Sequence, residues 1–125
     1  MSDVIYGPTF AEMRDPSLID PDVRSQALAA LHNAPMDPIN LYNITWMGAD
    51  GGVTHHVLPP ELTGVAAPIV VISGRNYPSG SHKVGAVYSI LIEKQLSGEA
   101  TPKGSTIVCP STGNYGIGGA WVGPR

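Results

Sequence analysis

Between residues 20 and 32, apolar side chains recur at helical spacing. Val23, Ala27, Ala30 and Leu31 fall on one face at i, i+4, i+7 and i+8. Asp20-Pro21 marks the start: Asp caps exposed amides, and Pro at the first helical position lacks only an N–H that would be unpaired anyway. The pattern predicts a helix to about His32, ended by Pro35 and Pro38. A second stripe, Val84, Val87, Tyr88 and Leu91 running toward Gln95, predicts a helix from His82 to Leu96 that Gly98 stops. A third helix is expected to open near Tyr115 in "IGGAWVG".

Two short apolar runs break this helical period. "APIVVIS" (67–73) is continuous and β-branched, the signature of a strand covered on both faces of a parallel sheet. "GSTIVCP" (104–110) reads the same way. The order strand, loop, helix, strand, loop, helix implies an α/β fold of parallel-sheet units with right-handed crossovers. Upstream, "INLYNITW" (39–46) alternates weakly, a turn follows at 48–52, and "GVTHHVL" is a candidate return strand of a hairpin. Residues 1–19 read as an irregular arm. The division expected is an N-terminal extension over 1–66 and the first part of an α/β catalytic domain over 67–125. A sheet of so few strands leaves edges bare, so the α/β domain is expected to be incomplete in this chain.

Composition narrows the classes. The chain has 125 residues, 42% of them hydrophobic and 14% charged, with a net charge of −3. It lacks the excess of Lys and Arg that phosphate neutralisation needs, so nucleic acid is not expected as a partner. No apolar stretch approaches the roughly 20 residues that span a bilayer. "MSDVIYGPTF" has no signal-peptide pattern, and a single Cys makes no internal disulfide, so a cytoplasmic protein is expected.

Chemistry concentrates in the two loops that follow the apolar runs, where ligands bind in open α/β sheets. In "NYPSGSHKVGAVYSI" (76–90), Lys83 opens a helix, the end where the dipole already places positive charge. Either it reaches into water, or partial desolvation there favours a neutral amine able to form a Schiff base with an aldehyde cofactor or carbonyl substrate. In "STGNYG", Ser111, Thr112, Gly113, Asn114, Tyr115 and Gly116 place hydroxyls, an amide and backbone N–H groups at a helix start. That is either an ordinary capped turn or an anion site for carboxylate or phosphate.

Other positions carry less. His55 and His56 are neighbours, so in a strand they point to opposite faces and cannot share one metal; no metal is expected. Cys109 reads as a buried small hydrophobe, Trp46 and Trp121 as packing aromatics, and Arg75 as a loop charge. The P-loop pattern is not matched around Lys83.

Together the two loops resemble the pyridoxal-phosphate (PLP) enzymes of fold type II, the tryptophan-synthase-β and cysteine-synthase superfamily. Residues 76–83, "NYPSGSHK", resemble that family's N-P-[ST]-G-S-x-K cofactor-lysine motif, and "TIVCPSTGNYGIG" (106–118) resembles its strand and asparagine loop, P-T-S-G-N-T-G-I. The separation of Lys83 from Asn114 is about that of a cysteine synthase, and the resemblance covers residues 67 to 123. It departs in the Ser111-Thr112 order and in Tyr115, which stands where the family has a small hydroxyl residue.

The resemblance implies that Lys83 holds pyridoxal 5'-phosphate as a Schiff base and moves the α-proton. Asn114 would hydrogen-bond the cofactor's ring hydroxyl, and His82 would lie beside its phosphate, as in tryptophan synthase β chains. Ser111, Thr112, Gly113 and Tyr115 would receive the substrate carboxylate. The implied activity is β-replacement on an amino acid through an aminoacrylate, in the manner of cysteine synthase. The alternatives are β-elimination, as by a serine or threonine dehydratase or a cysteine desulfhydrase, and a non-catalytic subunit that keeps the fold. The family's Gly-rich phosphate loop lies farther downstream than residue 125, which implies a C-terminal remainder or partner subunit. A homo-oligomer is also expected.

Overall fold

In the computed structural model, which describes residues 7–125, the helices and 3₁₀ turns before residue 44 each begin where a side chain takes up free amides. Helix α1 (Phe10–Arg14) opens on a capping box: Glu12 N–H donates to Thr9 Oγ1, and Thr9 N–H donates back to Glu12 Oε2 at 2.7 Å. A 3₁₀ turn over Pro16–Leu18 follows. The arm expected over 1–19 is therefore locally ordered from residue 9, while its first six residues lie outside the described ones.

Helix α2 (Pro21–Asn33) starts as expected, with Asp20 Oδ1 accepting from the N–H groups of Asp22 and Val23 at 2.9 and 3.2 Å. The weak strand expected over 39–46 is instead a 3₁₀ helix, Pro38–Asn43. The reason is local. Asp37-Pro38 repeats the chemistry of Asp20-Pro21, with Asp37 Oδ1 accepting from Ile39 N–H at 2.9 Å.

This 3₁₀ helix packs on α2 through two buried asparagines. Asn43 Nδ2 donates to the Ala27 carbonyl and to Asn40 Oδ1, and Asn40 Nδ2 donates to the Ala34 carbonyl. Buried amides are tolerable only when so paired.

Strand β1 (His55–Leu58) runs into the short helix α3 (Pro60–Thr63), and β2 (Ile69–Ile72) returns alongside it. The two pair antiparallel, His55 opposite Ile72 and Leu58 opposite Ile69. Two sequence expectations are corrected here. Residues 67–73 do not form a strand buried on both faces of a parallel sheet: β2 is exposed along its whole length. Residues 104–110 form no strand at all. A continuous apolar run does not say which partner it will find, and within this chain β2 meets β1. The hairpin expected between 39–46 and 52–58 shrinks to one bridge, Met47 with Val53.

Helices α4 (Lys83–Leu96) and α5 (Asn114–Val122) form the packed half of the molecule. Gly98, at φ +76°, ends the α4 segment as expected. Val84, Val87, Tyr88 and Ile92 of α4 face Trp121 and Val122 of α5, and Leu41 and Ile44 close the same core from the 3₁₀ side. That core draws on both sides of position 66. No described helix is long and apolar enough to cross a membrane.

Candidate functional site

The loop before α4 is built from short-range bonds. Gly80 N–H donates to the Tyr77 carbonyl at 2.8 Å, and Gly80 takes φ +72°, a conformation that costs a side chain strain. Ser81 is buried, and its hydroxyl accepts from Lys83 N–H at 3.3 Å while its carbonyl accepts from Val84 N–H. Ser81 thus covers the first amides of α4, and Lys83 emerges from the first turn with an exposed side chain.

At the start of α5, Ser111 Oγ accepts from Gly113 N–H at 3.1 Å, and the first helical bond runs from Ile117 N–H to the Gly113 carbonyl. The N–H groups of Asn114, Tyr115 and Gly116 have no acceptor among the described residues, and no side chain caps the helix. Such a first turn suits an anion. A Cβ on Gly113 would meet nothing within 4 Å, so its face is open to an approaching group.

What joins the two loops is Gly118. A Cβ built there would stand 3.1 Å from the Val84 Cα and 3.2 Å from the Lys83 carbonyl oxygen. Lacking one, α5 lies directly on the first turn of α4, one turn beyond its own free amides. Lys83 and the Ser111–Gly116 turn are thereby held on neighbouring elements.

The other expected residues are distributed differently. Ser111, Thr112 and Asn114 are exposed, as Lys83 is. The Tyr115 ring packs against the core of α4, leaving its backbone N–H as its contribution to the turn. His82 stacks on Trp46, with centroids 5.4 Å apart and planes 27° from parallel. His82 and Trp46 line a cavity with Met13, Ile44 and Ser89, and neither Lys83 nor Asn114 belongs to it.

Trp46 does more than fill space, the role its sequence context suggests. The residue is 42% exposed, and its ring meets Tyr77 edge-on at 5.1 Å and walls both the His82 cavity and a second one of about 320 Å³ beside α2. The second cavity is lined by Arg24, His32, Asn43 and Asn76. The pointer in the sequence was the place of Trp46, at the very end of a weakly alternating run and beside the Gly-rich turn 48–52.

Neither known protein families, nor curated proteins, nor solved structures gave a match to this chain.

Proposed function

We propose that this chain carries the cofactor-lysine half of a PLP-dependent enzyme that exchanges the β-substituent of an amino acid. The observation that supports the reading is the seating of Gly118 on the Lys83–Val84 backbone. It brings a lone amine and a turn of free amides, two features far apart in sequence, onto adjoining helix starts.

The residues present suit two ends of such a site. Lys83 would bond the cofactor's aldehyde carbon, and Asn114 would meet its ring hydroxyl. The bound group would supply an electron sink at the substrate's Cα. The Lys83 amine, released on substrate entry, would take the α-proton and return it. The free N–H groups of Asn114, Tyr115 and Gly116 would hold the α-carboxylate. A phosphate-binding loop from the C-terminal remainder or a partner subunit would complete the enclosure and exclude water. β-Elimination is the second reading. The exposure of Lys83, Ser111 and Asn114 favours it, because an open site would let the unsaturated product escape to water, where it hydrolyses to a keto acid and ammonia, before a second nucleophile adds.

Borohydride reduction of the chain mixed with PLP, followed by peptide mapping, tests the proposal. Label is expected on Lys83 well above Lys94 and Lys103, and serine or O-acetylserine should suppress it. Equal labelling of the three lysines would sink the reading.

A further inference from the structure

We infer that the cavity between α2 and Trp46 is a binding site for a small organic carboxylate with a flat apolar body, held by Arg24. The inference does not depend on the reading of Lys83. Arg24 Nη1 donates to the Tyr42 carbonyl at 3.0 Å and to Asn43 Oδ1 at 3.1 Å. Both acceptors are neutral, and together they use both hydrogens of that nitrogen. Nε and Nη2 have no acceptor among the described residues, and the lining of the cavity contains no carboxylate. A half-buried guanidinium cannot shed its proton, so its charge persists there with no counter-ion among the described residues. Burial weakens its hold on that charge, and an arriving anion would restore it.

The free Nε–Nη2 edge presents two parallel N–H groups, the fork that matches a carboxylate. Asn43 fixes the fork from behind, and Asn43 is itself anchored to the Ala27 carbonyl at 2.6 Å. The lining beyond Arg24 is mixed: His32, Asn76 and hydroxyl side chains stand beside an apolar stretch on which a ligand body would lie. In that stretch Leu28 and Leu31 stand one and two turns along α2 from Arg24, and Trp46 adds its indole to the lining. One cation calls for one negative charge, and about 320 Å³ accommodates a ligand about the size of an aromatic acid.

Calorimetric titration of the full chain with 3-phenylpropionate and with its neutral isostere 3-phenylpropionamide tests the assignment. The acid is expected to bind at least about tenfold more tightly than the amide, the preference a charge-assisted pair confers. Trp fluorescence should shift with occupancy, since Trp46 lines the cavity. In Arg24→Gln the acid and amide should bind alike. In Leu28→Trp, which fills the cavity and leaves Arg24 in place, both should be lost. Indistinguishable acid and amide binding to the unmodified chain, or no binding of either at millimolar concentration, would overturn the inference. So would acid binding undiminished in a folded Arg24→Gln protein. Equally tight displacement of the acid by inorganic phosphate would overturn the carboxylate assignment in favour of a general anion site.

Discussion

Gly118 lies flush against Val84: the Val84 Cα is 3.1 Å from where a Cβ would begin. The neighbouring atoms are backbone and cannot rotate away. Gly118→Val should therefore force α5 off α4 and cost about 1–3 kcal/mol in denaturant unfolding. On the proposed function, the same change should also abolish selective labelling of Lys83, because it parts the amine from the amide turn. Gly118→Ala should cost less and retain some selectivity.

The start of the described chain is tied to α4 by a bond spanning most of the sequence. The buried Tyr88 hydroxyl donates to the Pro8 carbonyl at 2.8 Å. Gly7, at φ +147°, has no room for a side chain beside that hydroxyl. Tyr88→Phe should destabilise by about 1–3 kcal/mol, the cost of leaving a buried carbonyl unpaired. Gly7→Ala should also destabilise. The double variant should lose less than the sum, because the phenylalanine removes the atom that the new methyl strikes. Thermal unfolding of the four proteins completes the cycle.

Alkali should unfold this protein early. Burial raises the phenol pKa of Tyr77, and burial followed by the charges of Tyr42 and Glu12 raises that of Tyr88. Unfolded phenols ionise near pH 10. Above that value the unfolded chain releases protons that the folded chain keeps. Stability should thus be fully present below about pH 10 and then fall by about 1.4 kcal/mol per pH unit for each tyrosine. Urea midpoints measured from pH 8 to 11.5 should show the bend, and a Tyr77→Phe/Tyr88→Phe protein should flatten it.

Asn43 joins three partners: Arg24, Asn40 and the Ala27 carbonyl. Asn43→Ala leaves Asn40 Oδ1 buried without its donor and frees the Arg24 fork to turn. A loss of about 2–3 kcal/mol is expected in denaturant unfolding. Carboxylate affinity should fall with it even where the protein is still folded.

The β1–β2 ribbon should open long before the helices. Val57, Val70, Val71 and Ile72 are all at least 43% exposed, and two strands without a covered face are marginal in water. Amide hydrogen exchange at residues 55–58 and 69–72 is expected to run at least about a hundredfold faster than at Val87–Ile92.

What could be read from the sequence was what local chemistry decides. Asp20 and Pro21 announced α2, and Gly98 announced the end of α4, because caps and left-handed turns depend only on near neighbours. The same logic applies at Asp37-Pro38 and in Thr9-Phe-Ala-Glu12, where a 3₁₀ helix and a capped helix stand. Pairing was not legible. Ile69–Ile72 carries the composition of a buried strand, yet whether it meets residues 104–110 or 55–58 depends on the rest of the molecule. The loops around Lys83 and Asn114 drew attention because reactive side chains stood beside turn residues. Arg24 did not, because on a helix it reads as a surface charge, and only the fold turns Trp46 and Asn76 toward the same cavity.

Trp46 is a partition wall. One cavity holds His82 and the other holds Arg24, and the same indole bounds both. Thr45, Met47 and Tyr77 line both cavities with it, so the two chambers meet along one seam, and a shift of the indole toward either would narrow that one. The loop leading to Lys83 and the cavity of Arg24 thus share a boundary.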